Sequence, residues 1–235
     1  MNEPIVADAL AEAAIADIQS GMVVGLGTGR TASRSIIALG ERVKNEKLDI
    51  RCVPTSHATQ TLAMSQGLPL LDFEMVEHVD YLFDGADEVD PQLRILKGGG
   101  GAMTRERIVA WASNRCVYMV TQDKLVPRLG TKNTLGIAVL TFGLSAVRAQ
   151  IRNLGLNGVV RRTINGELFV TDNGNLIIDV SISDWDLEDL ASTLNDLPGV
   201  IDHGLFLTEA DELLIETPNG IERRVREHDD EEAES

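Results

Sequence analysis

The sequence predicts an α/β protein: an open, doubly wound sheet domain with a second, smaller α+β domain of ferredoxin-like order. Three observations predict it. Short apolar runs at 22–26, 50–53, 79–83 and 116–121 alternate with segments of helical spacing. Glycine and polar residues gather where those runs end, the edge at which open α/β sheets bind ligands. Beyond Gly130 the order changes to β-α-β-β-α-β. The first domain is expected over 1–131 and 204–227, and the smaller one over 132–203, where an oligomer contact is also expected. An acidic tail follows at 228–235.

The elements follow from local pattern. Ile5, Val6, Leu10, Ala13, Ala14 and Ile18 recur at helical spacing, and Gly21 is expected to end that helix. The run 22–26 reads as a buried parallel strand, Gly27 to Thr31 as a turn, and 32–44 as a helix. A strand at 50–53 leads through Thr55 and Ser56 into a helix at 59–66. Those hydroxyls either cap the helix or reach a ligand. Strands are expected at 68–71, at 79–83 (delivering Asp84) and at 93–96 (leading to Lys97). A helix over 104–114, with Thr104 as N-cap and Glu106 in its first turn, feeds a strand at 116–121. In the smaller domain, strands are expected at 137–141, 159–163, 167–170, 176–180 and 200–202, with helices at 145–154 and 187–194. Strand-like runs at 205–207, 212–216 and 222–225 return to the first domain.

Composition narrows the function classes. A net charge of −16 argues against nucleic acid or anionic membrane as partners, since both need basic surface. Apolar runs fall short of the roughly 20 residues of a membrane span, and no secretory signal is read. Cys52 and Cys116 fit no zinc or redox spacing and read as reduced, buried thiols of a cytoplasmic protein. His57, His78, His203 and His228 show no ligand spacing, so neither metal nor cofactor is expected. A nucleotide is disfavoured too, because the glycine turn lacks the third glycine of the dinucleotide fingerprint. A small phosphate ester fits that turn better.

The chemistry concentrates between Asp84 and Arg107. Two carboxylates, Asp84 and Asp87, stand three apart; Lys97 runs into Gly98, Gly99, Gly100 and Gly101; a helix start with Glu106 follows. Glycine lets backbone approach a ligand closely, and the ionisable groups can move protons. Bland alternatives exist for each: turn-forming aspartates around Gly85, a surface lysine, a glutamate complementing a helix dipole.

The strings Gly25-Leu26-Gly27-Thr28-Gly29-Arg30-Thr31, Asp84-Gly85-Ala86-Asp87-Glu88, Lys97-Gly98-Gly99-Gly100-Gly101-Ala102 and Thr104-Arg105-Glu106 closely resemble type A ribose-5-phosphate isomerase. Thr171 to Asn175 and Gly204 to Phe206 extend the resemblance to nearly the whole chain. It implies interconversion of D-ribose 5-phosphate and D-ribulose 5-phosphate in the pentose phosphate pathway, without a metal, by a homodimer or homotetramer. By resemblance Glu106 is the base, Lys97 the cation on the enediolate oxygen, and Asp84 and Asp87 the pair serving substrate hydroxyls and ring opening. Thr28, Gly29, Arg30 and Thr31 match the phosphate loop, Lys124 a basic phosphate contact, and Gly98, Gly99 and Gly100 a substrate-binding loop. Two departures stand out: Arg30 replaces a common serine, and Ala7 a lysine found in some members. We expect Arg30 to supply the charge lost at position 7. The competing functions are another enzyme on a related fold, such as an amino-sugar phosphate isomerase or coenzyme A transferase, and a non-catalytic sugar-phosphate sensor.

Overall fold

The computed structural model describes residues 8–182 and 185–227. Ala7, the Ile5–Val6 start of the first predicted helix, His228 and the acidic tail lie outside them. In chain order the elements are α1 (Ala9–Ile15), β1 (Val23–Leu26), α2 (Arg30–Glu46), β2 (Arg51–Pro54), α3 (His57–Ser65), β3 (Tyr81–Gly85), β4 (Glu88–Val89), β5 (Ile95–Leu96) and α4 (Met103–Trp111). Then come β6 (Cys116–Thr121), β7 (Leu135–Val139), α5 (Leu144–Asn153), β8 (Gly158–Val160), β9 (Leu176–Val180) and α6 (Leu187–Asn195). The last four are β10 (Val200–His203), β11 (Leu205–Phe206), β12 (Glu212–Thr217) and β13 (Gly220–Val225).

The central sheet runs β13-β12-β6-β3-β1-β2. All its pairings are parallel except β12 with β13. Period-two alternation sends side chains to two separate cores. Tyr81, Phe83, Val117 and Met119 pack with Leu26, Ile36 and Leu39 beneath α1 and α2. Leu82, Tyr118, Val120, Leu213 and Ile215 pack with Met103 and Val109 of α4 on the other face. Both faces are therefore covered, as a doubly wound sheet requires. Gly25 of β1 faces the second core, where an added Cβ would stand 2.8 Å from Leu82 and 2.9 Å from Val109.

The strand order reverses between β1 and β3, so the connections leaving their carboxyl ends run to opposite sides and leave a crevice. The amide of Gly27 donates to the Phe83 carbonyl (2.9 Å), which holds the two ends side by side. The second sheet, β10-β7-β9-β8, is antiparallel with α5 and α6 against it, the ferredoxin-like order. A three-stranded ribbon, β11-β5-β4, joins the two parts and carries Lys97 at the end of its middle strand.

Several local expectations are corrected. Helix α1 stops at Ile15, well before Gly21. The predicted strand 68–71 is a single bridge of Leu70 to Cys52, and 167–170 is reduced to the bridges at Leu168 and Val170. Both runs lie at a sheet margin, where few partners are left for a ladder. Thr104 does not cap α4. Ala102 holds that place without a side-chain cap, and the first helical bond runs from Glu106 N–H to the Ala102 carbonyl at 3.0 Å. A glycine turn, closed by Gly101 N–H to the Gly98 carbonyl at 3.0 Å, brings the chain into the helix two residues early. Glu106 stays in the first turn. Among the described residues no helix is long and apolar enough to cross a membrane.

Candidate active site

The crevice at the strand reversal is walled by three glycine-containing segments. From β1, the turn Gly27 to Gly29 leads into α2, whose N-cap is Gly29 at φ +103°, a conformation suited to glycine. Gly29 offers no side chain, so the first amides of the 17-residue helix α2 are left open to an anion. From β3 come Asp84 and Asp87, and from β5 come Lys97 and the glycine turn.

Thr28, Gly29, Arg30, Thr31, Asp87, Lys97, Gly98, Gly99, Gly100, Glu106 and Lys124 all line one cleft, together with Gly85 and Ala86. Asp84 alone of the predicted set lies beneath it, fully buried. Its Oδ1 accepts from the amides of Thr28 (3.0 Å) and Gly85 (2.7 Å), and its Oδ2 lies 2.9 Å from the Lys97 ammonium. Gly27 makes this possible: a Cβ there would stand 2.2 Å from Asp84 Oδ1. Asp87 is half-buried and accepts from Gly99 N–H at 2.8 Å.

Lys97 and Glu106 form the floor. The ammonium donates to the Gly85 carbonyl at 2.5 Å and stands 3.4 Å from Glu106 Oε1. Glu106 Oε2 is buried and has no hydrogen-bond partner. Burial pushes the Glu106 carboxyl up to about 8, against the pull of Lys97. Burial also raises Asp84, opposed by Lys97 and by its two amide donors. For Lys97 burial disfavours the ammonium, but the charges of Asp84 and Glu106 outweigh it and hold its pKa above the usual lysine value. Two carboxyls thus share one cation. Asp84, with amides on its other oxygen, is the better compensated anion, so Glu106 is the group whose proton is loosely held near neutral pH.

The hydroxyls left open by sequence serve the scaffold. Ser56 caps α3 by accepting from Thr59 N–H at 3.0 Å. Thr28 Oγ1 lies within 2.8 Å of the Thr55 and Ser56 hydroxyls and 3.1 Å of Thr59, so the loop is tied to α3. Arg30 is exposed at the cleft and Lys124 half-buried. Among the described residues neither has a hydrogen-bonded or ion-paired partner. Arg34 instead holds α1 to the sheet, bonding Asp8 (2.5 and 2.7 Å) and Glu216 (2.9 and 3.0 Å).

Sequence reasoning missed Glu88 and Arg161. Glu88 is buried and accepts from the amides of Gly130 (2.7 Å), Lys132 (2.7 Å) and Asn133 (2.5 Å), fixing the connection into β7 beside Asp87. Arg161 bonds the carbonyls of Gly98 and Gly99. A second acid directly after Asp87 was a signal for the first. Nothing local pointed to the second, which sits 63 residues from Gly98.

Fold and site together define a class: an α/β enzyme with a buried lysine–carboxyl contact at the floor of a cleft rimmed by open helix amides. The comparisons with known proteins make it particular. The family model for ribose 5-phosphate isomerase A (phosphoriboisomerase A) matches residues 51–220. A curated ribose-5-phosphate isomerase A of Roseiflexus sp. is 42% identical over 223 residues, 94% of this chain and 96% of the relative. One from Chlamydia trachomatis serovar L2 is 44% identical over 224 residues, 94% of this chain and 91% of the relative. The solved ribose 5-phosphate isomerase A of Methanocaldococcus jannaschii superposes with a TM-score of 0.88 at 36% identity, covering 92% of this chain and 96% of that one. A D-ribose-5-phosphate isomerase solved with phospho-erythronic acid gives 0.89 at 35%, covering 93% and 96%. The chain belongs to the ribose 5-phosphate isomerase A family.

Proposed function

We propose that this protein interconverts D-ribose 5-phosphate and D-ribulose 5-phosphate through an enediolate, in the pentose phosphate pathway. The observation that carries the reading is the buried Lys97–Glu106 contact of 3.4 Å at the floor of a cleft rimmed by open helix amides. An aldose–ketose isomerisation moves one proton between neighbouring carbons. Glu106 takes the C2 proton of the open-chain aldose, the electron pair forms the C1–C2 double bond, and the carbonyl oxygen gains the negative charge. Lys97 faces that charge where water is scarce, which makes the interaction strong. Glu106 then returns the proton to C1, the proton of the C2 hydroxyl passes through Asp87 to the C1 oxygen, and the ketose, with its carbonyl at C2, results. Asp87, half-buried at the rim, exchanges protons with substrate hydroxyls during ring opening and on the enediolate oxygens. Asp84 serves the same pair from beneath by holding the ammonium of Lys97 in place. Phosphate sits at the opposite end, on the amides of Gly29 to Thr31 and the Thr31 hydroxyl, beside the fixed Thr28, with Arg30 and Lys124 supplying charge and Gly98 to Gly100 closing over the sugar. A phospho-sugar acid bound to a relative supports this reading, since its planar carboxylate resembles an enediolate.

We assign the activity to the cytoplasm, on the strength of two free and buried cysteines whose thiols burial pushes up to about 12. Exposed Phe142, Val159, Ile164 and Val170 on the smaller unit support a homodimer or homotetramer. The decisive experiment offers the purified protein ribose 5-phosphate and a panel of other sugar phosphates, with and without chelator. Ribulose 5-phosphate formation that survives chelation, with little turnover of amino-sugar phosphates, is expected. No turnover of ribose 5-phosphate, or activity restored only by a divalent metal, would sink the reading.

A further inference from the structure

We propose that Arg161, on the ferredoxin-like unit, is a positioning residue for the reaction: it holds the peptide planes of the Lys97 glycine turn so that the amide of Gly99 meets Asp87 and the amide of Gly100 faces the substrate. The inference rests on the isomerase reading of the cleft. Arg161 does not line that cleft. Its Nη1 donates to the Gly98 carbonyl at 2.6 Å and to the Gly99 carbonyl at 3.2 Å. The far side of the same guanidinium is fixed by Asp179, which accepts from Nε at 2.9 Å and Nη2 at 2.5 Å. Its backbone is fixed too, with N–H to the Ile177 carbonyl at 2.8 Å and carbonyl to Phe169 N–H at 3.0 Å. Gly136 leaves the room: a Cβ there would stand 3.0 Å from Arg161 Nη2.

The consequence follows from peptide geometry. In a planar trans peptide the C=O and the following N–H point in opposite directions, and the described chain has no cis peptide bond. A Gly98 carbonyl turned to Arg161 therefore turns Gly99 N–H the other way, where it meets Asp87. A Gly99 carbonyl turned to Arg161 likewise turns Gly100 N–H to the cleft side, and among the described residues that amide has no partner. Consecutive glycines do not hold such planes themselves, because each samples both signs of φ. Gly98 stands at φ +103°. The Gly98–Gly99 plane is held also by Gly101 N–H and by Asp87; for the Gly99–Gly100 plane it is Arg161 that supplies the constraint, from outside the loop. It is two-pronged where a lysine ammonium is a point charge, so it can serve Asp179 and both carbonyls together. The site is thereby made across two units of the fold: the sheet domain contributes the reacting groups, and the smaller unit orients the Asp87-bound amide and the Gly100 donor that meets the sugar.

The test compares Arg161→Met, which keeps bulk against Phe169, with the parent protein. Steady-state kinetics on ribose 5-phosphate are combined with inhibition by erythronate 4-phosphate and by inorganic phosphate, and thermal unfolding reports the fold. Misplaced donors cost on the order of 10²-fold. We expect kcat to fall roughly 10- to 100-fold with KM changed far less, and erythronate 4-phosphate to weaken by a similar factor. Inorganic phosphate should inhibit as before. Millimolar guanidinium should restore part of the turnover of Arg161→Ala. Wild-type kcat and wild-type erythronate 4-phosphate inhibition in Arg161→Met would overturn the proposal, as would equal weakening of both inhibitors. Should that variant not fold, Asp179→Asn decides, since it loosens the guanidinium without removing bulk; unchanged kcat and inhibition there would overturn it equally. An inactive parent protein would count against the isomerase reading, while the ratio of the two inhibitor affinities still judges Arg161.

Discussion

Oε1 of Glu106 lies 3.4 Å from the Lys97 ammonium, and both side chains are almost wholly buried. The contact ties proton affinity to catalysis. With its carboxyl pushed up to about 8, Glu106 is largely protonated at neutral pH in the free protein. We expect log kcat/KM to climb with pH below about 8 and to level above it, because only the carboxylate accepts a carbon-bound proton. A flat profile from pH 6 to about 9 would show that another group is the base.

The same shift predicts a stability trend. The folded-state pKa is raised from 4.5 to about 8, so this contribution to stability is full below 4.5 and is lost as pH rises through about 8. Glu106→Gln carries no such charge. Denaturant titrations should therefore show the variant gaining on the parent as pH rises across that window. A difference independent of pH would contradict the raised pKa.

In turnover, Glu106→Gln should keep the fold and bind substrate, yet lose about 10²- to 10⁴-fold in kcat. The amide keeps the shape and loses the base. Near-normal kcat would move the base elsewhere.

Gly27→Ala should disrupt both fold and site. The new methyl would meet Asp84 Oδ1 at 2.2 Å and its Cα at 2.5 Å, and a backbone atom cannot swing aside. The loss should exceed the ~1–3 kcal/mol usual for overpacking. Chemical denaturation measures it; a change within error would mean that β1 and β3 separate freely.

Arg30→Ala should raise KM for ribose 5-phosphate by roughly 10- to 150-fold, the worth of one charge-assisted hydrogen bond. kcat should change much less, since phosphate is held alike in ground and transition states. Arg30→Ser should not restore affinity unless Ala7 is also made lysine. An unchanged KM at low ionic strength would leave Lys124 and the helix amides as the whole phosphate site.

Much of this was legible in the chain itself. Apolar runs with their glycine turns marked the strands of the central sheet and the residues at their ends, because strand period and turn chemistry are local properties. The β-α-β-β-α-β order of the smaller unit was legible for the same reason. The grouping of Glu106, Lys97, Asp84 and Asp87, which the structure brings to one place, was also legible, through motifs held close together in sequence. Tertiary structure decided the rest. Only packing puts Asp84 beneath Lys97 and leaves Asp87 at the rim, although Asp84 lies at the end of β3 and Asp87 just after it. Glu106 is lifted to about 8 by burial, which depends on what covers it. Arg161 reaches Gly98 across 63 residues through the docking of the smaller unit, a relationship no local pattern encodes. Local sequence sets which groups are present and on which element. The distances and the dielectric that give them their chemistry arise when distant elements pack together.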